Sequence, residues 1–208
     1  MQVVQSGPSS RQTQSVMTRE RLLEAATRLF AERGYGKSSV KNIAEAAGIS
    51  QGSVFWHFES KQRLLFEVVD RAFARWEQEV LEPLLRKDAE PDGLRAVVDA
   101  HLGFARRNPE IGGRLFFMLA SEALGGRAEL RAAYARIYDR FRNHGREWIE
   151  QAVKVGACRD DIDPAATATV IVGALAGIFL QWLVGGAAVD LVRSHDDLAR
   201  ILARGIAA

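Results

Sequence analysis

Residues 34–65 read GYGKSSVKNIAEAAGISQGSVFWHFESKQRLL. Ser39 is a good helix cap, and Val40, Ile43, Ala44 and Ala47 follow it at the i, i+3, i+4, i+7 spacing of one buried helical face. Gly48 supplies the positive φ at which a helix can stop and bend, and Ile49 can fill the space beneath the bend. Ser50 then caps a second short helix over about 51–57. Two short helices joined by three residues must cross steeply, and the small Ala44 lets their axes approach. The stretch is a helix-turn-helix, whose second helix can present its N-terminal side chains to the major groove while the first crosses the phosphates.

The same punctuation continues outward. Thr18 caps a helix that reaches Arg33, with Leu22, Ala26, Leu29 and Phe30 on one face and Gly34 as its stop. Ser60 opens a long helix carrying Leu64, Leu65, Val68, Val69, Phe73 and Trp76, which bends or ends near Pro83. Glu90 to Gly93 reads as a loop before a helix from about Leu94 to Arg107. Asn108-Pro109-Glu110 starts another, which stops near Gly125-Gly126. A long helix through Leu130 and Trp148 ends at Gly156. Asp163-Pro164 begins an uncharged helix ending at Gly185-Gly186, and Ser194 to Asp197 opens the last. The expectation is an all-α chain of nine helices: a flexible N-terminal arm over 1–17, a helix-turn-helix domain over 18–65 and a larger helical domain over 66–208.

The Gly34–Leu65 block resembles the DNA-binding signature of the TetR family. The matching residues are Gly34-Tyr35, Ser38-Ser39, Ile43-Ala44, Ala47-Gly48-Ile49-Ser50, Gly52, His57-Phe58 and Lys61. Phe55 departs from the pattern, because the family usually has Tyr there, with a hydroxyl that commonly touches a phosphate. The ring can still pack.

Geometry and resemblance together assign the contacts. Ser39, at a helix N-terminus, can bind phosphate through its hydroxyl and backbone N–H. Lys37, Lys41 and Lys61 supply counter-charge, and His57 can donate to a phosphate. Gln51 and Ser53 are the expected base readers, since Gln offers a paired donor and acceptor to adenine. Gly52 permits close backbone approach, Trp56 can press on sugar and phosphate, and Ser38, Ser50 and Phe55 complete the set.

For the C-terminal part the resemblance implies an apolar cavity for a small-molecule effector. Candidate lining residues are Trp76, Phe104, Phe117, Met118, Phe141, Trp148 and Phe179, with His101, Glu122, Tyr138 and Gln181 as the polar groups that orient the guest. Gly173 and Gly177 lie four apart on the uncharged helix, which lets another helix pack closely. The resemblance implies that its partner is a second subunit, with Leu180, Val184, Leu198 and Leu202 in a four-helix homodimer interface. The expected mechanism is repression: a dimer on a near-palindromic double-stranded operator, released by a small apolar effector. The rival reading is a helical small-molecule binding protein without a DNA role.

Composition is consistent with this. The formal net charge is only +2, but up to Phe66 there are nine Lys or Arg against five Asp or Glu, and beyond it 19 against 21. The basic excess thus sits on the helix-turn-helix. A single cysteine, Cys158, excludes an intramolecular disulfide framework, and residues 1–17 lack the apolar run of a signal peptide; a cytoplasmic protein is expected. The stretch Pro164–Val189 is long enough to span a bilayer, but its Thr, Gln and Gly residues and its unbiased flanks favour a buried or subunit-facing helix. His57, His101, His144 and His195 show no metal-ligand spacing, and no nucleophile–base constellation is evident, so neither a metal, a cofactor nor an enzymatic activity is expected.

Overall fold

The structure, a computed structural model, describes residues 10–82 and 93–208. Among these residues run nine α-helices: α1 (Ser10–Arg33), α2 (Val40–Ala47), α3 (Gln51–Phe58), α4 (Lys61–Trp76), α5 (Gly93–Arg107), α6 (Leu115–Leu124), α7 (Ala128–Lys154), α8 (Pro164–Gly185) and α9 (Leu191–Ile206). A lone backbone bridge joins Cys158 to Ala207, and the described residues form no strand.

The helix starts follow the caps. The Ser39 hydroxyl accepts the Asn42 N–H while the Asn42 side chain accepts the Ser39 N–H, a reciprocal capping box. Ser50 and Ser60 accept the N–H groups of Ser53 and Arg63 in the same way. Asp163 accepts from Ala165 and Ala166, with Pro164 at the first helical position. Gly48, at φ 64°, closes α2 by donating to Glu45 O while Ile49 donates to Ala44 O, and Arg21 Nη2 binds the remaining Ala47 carbonyl at 2.6 Å.

Three boundaries differ from expectation. Helix α1 begins at Ser10 rather than Thr18, because no Gly or Pro interrupts Ser10–Arg33; these added residues are largely exposed. Helix α9 begins after Asp190, whose carboxylate accepts the Arg193 N–H. Ser194 therefore lies one turn inside and returns its hydroxyl to Asp190 O. Between α5 and α6 Asn108 caps nothing: it is buried, and its Nδ2 donates to Phe104 O and Glu79 Oε2. The chain enters α6 through a π-helical turn, Glu110–Arg114, and leaves α4 through another, Glu77–Leu81. Residues 1–9 of the expected arm, Pro83 and Glu90–Asp92 lie outside the described residues.

Helices α1 to α4 close around Phe30, Ile43, Val54, Phe58, Leu64 and Leu65, all at most 2 % exposed. Each such side chain contributes about 1.5–3 kcal/mol by leaving water. This core does not stop at the expected domain division. It continues through Val68, Val69 and Phe73 of α4 into Leu115, Leu119 and Ala123 of α6 and Leu130 and Ile137 of α7. A second core joins α5, α7, α8 and α9 through Val98, Ile149, Ala168, Ile171, Leu198 and Leu202. Between the two cores the helices stand apart around a cavity.

Candidate nucleic-acid interface and apolar cavity

Helix α3 is anchored by buried Val54 and Phe58. Its other face, Gln51, Gly52, Phe55 and Trp56, is turned to solvent, and Trp56 is 73 % exposed, braced edge-on against His57 at 4.6 Å. Ser53 is half-buried, with its hydroxyl 3.0 Å from that of Ser50. His57 is half-buried too; burial and the nearby Arg19 hold its pKa below the usual histidine value, so at neutral pH it offers an N–H rather than a charge. Lys37 and Ser39 are exposed at the head of α2, and Lys41 is exposed with its Nζ 3.9 Å from Glu45.

Two expected contacts are positioned elsewhere. Ser38 is fully buried and donates its hydroxyl to Gly34 O at 2.8 Å and Leu29 O at 3.2 Å, tying off the end of α1. Lys61 donates to Tyr35 O at 2.5 Å with its ammonium 4.0 Å from the Tyr35 ring centre, and burial lowers its pKa. Both hold the turn between α1 and α2 rather than reach outward.

Glu122, expected in the cavity, holds that turn as well. Both carboxylate oxygens accept the Gly36 N–H, and Arg127 lies 3.5 Å from Oε2 with its guanidinium 5.6 Å from the Tyr35 ring. Met118, one turn before it, packs under Gly34, where an added Cβ would stand 3.4 Å from Met118 Cε. Neither residue lines the cavity. The sequence held a trace of this: Glu122 stands four and seven residues after Met118 and Leu115, on one helical face.

The cavity has a volume of about 800 Å³ and is bounded by α4 to α8 and both π-helical turns. Of the residues expected there, Trp76, His101, Phe104, Phe117, Tyr138, Phe141, Trp148 and Phe179 line it; Gln181 does not, being exposed with its amide donating to Gly177 O. Phe73, Phe116, Tyr134 and His144 also line it and were not expected to; the three rings are ordinary members of apolar stripes, and a lone histidine on a charged helix carries no signal of its own. The rings interlock: Trp76 meets Phe141 edge-on at 4.5 Å, and Phe116 lies 4.6 Å from Tyr134 and 5.2 Å from Tyr138. Trp76 Nε1 donates to His101 Nδ1 at 3.4 Å, and burial with the neighbouring His195 lowers the His101 pKa to about 4. At the far wall Phe179 sits against Gly113, where a Cβ would come within 1.9 Å of the ring.

On the outside, α8 keeps an apolar face uncovered. A Cβ added at Gly173 or Gly177 would meet nothing within 4 Å, and Leu180 is 43 % and Val184 82 % exposed. Leu198 and Leu202 do not share this face: both are 9 % exposed and belong to the chain's own core. They pack inward because α9 has a single strong apolar stripe, and α5 and α8 occupy it.

Two short helices linked by a three-residue turn, the second with one face bare, joined through one core to a helical body with a large apolar cavity, define a helix-turn-helix transcription regulator. Residues 22–68 match the bacterial regulatory proteins of the tetR family, and residues 91–203 match the tetracyclin repressor-like C-terminal domain. The chain belongs to the TetR family, whose members are transcriptional regulators and not enzymes. It is 30 % identical over 167 residues to the HTH-type transcriptional repressor KstR2 of Rhodococcus jostii, covering 76 % of this chain and 72 % of that one. It is 24 % identical to the HTH-type transcriptional regulator AcrR of Shigella flexneri, over 89 % and 87 % of the two chains. The fold is shared with a TetR transcriptional regulator from Chloroflexus aurantiacus, at a TM-score of 0.80 and 24 % identity over 94 % of this chain and 98 % of that one.

Proposed function

We propose that this regulator is a homodimeric repressor that leaves a near-palindromic operator when a small apolar effector fills its cavity. The observation that carries the reading is the double role of α6. Its Leu115, Phe116 and Leu119 line the cavity, while Glu122 at its other end binds the backbone of the turn that leads into the helix-turn-helix. A guest that shifts α6 therefore acts on α2 and α3, and the shift is limited to the guest's differential affinity for the two states.

On the operator, Gln51 and Ser53 read base edges, and Trp56 and His57 press on the sugar–phosphate backbone. Ser39, Lys37 and Lys41 engage phosphates at the head of α2. Ser38 and Lys61 act as positioning residues. The partner subunit covers the α8 face formed by Gly173, Gly177, Leu180 and Val184, while Leu198 and Leu202 remain in the chain's own core. An apolar helix of this kind among the described residues, Pro164–Ala188, is long enough to cross a membrane, and only 17 % of its most apolar 18-residue stretch is buried in the isolated chain. A symmetric partner accounts for that surface, and for the pairing of recognition helices that a dimeric operator needs.

Selection of binding sites from random duplex DNA with the purified protein tests this. An inverted repeat released by an apolar ligand supports the proposal, and binding with no sequence preference would sink it. Transcription from a promoter carrying the selected site distinguishes repression from activation.

A further inference from the structure

The cavity wall has a one-sided chemistry. Among the described residues it carries no Lys or Arg, and its carboxylate, Glu147, belongs to an exposed side chain 4.0 Å from His144 Nδ1. A buried anion requires a paired cation or several converging donors. Several of the wall's other polar groups have neighbours of their own: the Tyr134 hydroxyl lies by that of Tyr138, and His144 Nε2 is 3.4 Å from Glu77 Oε1, while Gln151, also in the wall, is exposed to solvent and Trp148 adds an indole N–H.

His101 is the wall group whose tautomer the structure fixes. Its Nδ1 accepts the Trp76 N–H, so the proton of the neutral ring sits on Nε2 and is free to donate. Behind it, fully buried His195 lies nearly parallel with ring centres 6.4 Å apart. Its Nδ1 is 2.8 Å from Leu191 O, and its Nε2 has no partner. A cation on His101 would face an uncharged imidazole in an apolar wall, and the low pKa of His101 agrees with a ring that stays neutral.

We propose that His101 is the recognition donor of the cavity: its Nε2–H binds the oxygen of an uncharged, carbonyl-bearing apolar effector such as an ester, ketone or lactone, and the wall discriminates against the corresponding carboxylate. The inference rests on the reading of the cavity as the effector site. The interlocked rings take the apolar body, and one hydrogen bond fixes its orientation.

The test is titration of the full chain at neutral pH, read by the fluorescence of the cavity-lining Trp76 and Trp148, with methyl decanoate, decanoic acid and decyltrimethylammonium as probes of matched chain. The ester is expected to bind roughly tenfold or more tighter than the acid, His101→Phe to lose about tenfold of the ester affinity, and His101→Gln, which keeps a donor, to retain most of it. An acid or ammonium probe that binds as tightly as the ester, or a His101→Phe variant that binds it unchanged, overturns the assignment while leaving the cavity as an effector site. If no probe binds, both readings fall. Should His101→Phe not fold, the rank order of the three probes on the unsubstituted chain decides alone.

Discussion

The carboxylate of Glu122 accepts the backbone N–H of Gly36 through both oxygens, at 3.1 Å for Oε1 and 2.9 Å for Oε2, across 86 residues of sequence. A side chain of the cavity-bearing body thus holds the turn on which α2 is mounted. Charge-assisted bonds to a backbone N–H contribute about 1.5–3 kcal/mol when sheltered, and this carboxylate is 20 % exposed. Glu122→Ala is expected to lower stability by about 1–2 kcal/mol in chemical denaturation. It is also expected to shrink the change in operator affinity that an effector produces. Unchanged coupling in a folded Glu122→Ala protein would detach this bond from signalling.

Lys37, Lys61 and Gln51 have three different roles, and the structure parts the two lysines that the sequence had grouped as phosphate partners. Lys37→Ala is expected to weaken binding evenly across DNA sequences and to reduce the salt slope by about one. Lys61→Ala removes the bond to Tyr35 O, so it costs about 1 kcal/mol of stability and leaves the salt slope unchanged. Gln51→Ala is expected to alter the selected base sequence. Salt titrations and site selection on the three variants check all of this.

Gly113 has no room for a methyl group, since a Cβ would stand 1.9 Å and 2.3 Å from Phe179 ring carbons. Gly113→Ala is expected to cost about 1–3 kcal/mol as Phe179 is driven aside. It should also weaken ligand binding, because the displaced ring lines the cavity. Thermal denaturation with and without a bound ligand measures both effects.

The α8 and α9 leucines give opposite outcomes. Val184→Glu or Leu180→Glu, on the exposed face, is expected to yield a folded monomer with much weaker operator binding. Leu202→Ala, inside the chain's own core, is expected to cost about 2–5 kcal/mol and leave the subunits paired at low temperature. Sedimentation equilibrium distinguishes them, and a dimeric Val184→Glu protein would move the interface elsewhere.

His101 titrates near 4 in the folded chain against about 6.5 unfolded, and burial lowers His195 in the same direction. The unfolded state therefore binds protons that the folded state refuses. Stability is fully present above pH about 6.5 and falls as the pH drops towards 4, by up to a few kcal/mol. Denaturation midpoints between pH 7 and pH 4 are expected to fall less steeply in His101→Phe than in the unsubstituted protein.

The sequence alone determined the elements and the motif. Ser39, Gly48, Ser50, Ser60 and Pro164 act within a turn or two of themselves, so local chemistry set the helix ends. The exposed Gln51–Trp56 face followed from which positions the buried Val54 and Phe58 left over. Where local signals competed, as with Asp190 against Ser194, the reading slipped by a turn.

Which face each helix turns to its neighbours was decided by the tertiary structure, because that depends on packing between residues far apart in sequence. Phe73 and Phe116 look like Phe30 in an apolar stripe, yet they border a cavity while Phe30 is core. Leu202 and Ile201 are adjacent, and only the docking of α9 on α5 and α8 buries one and bares the other. Glu122 is the sharpest case. Its carboxylate is a surface charge by composition and a cavity guest-holder by position, and it became the link between the two halves only when the fold placed Gly36 against it.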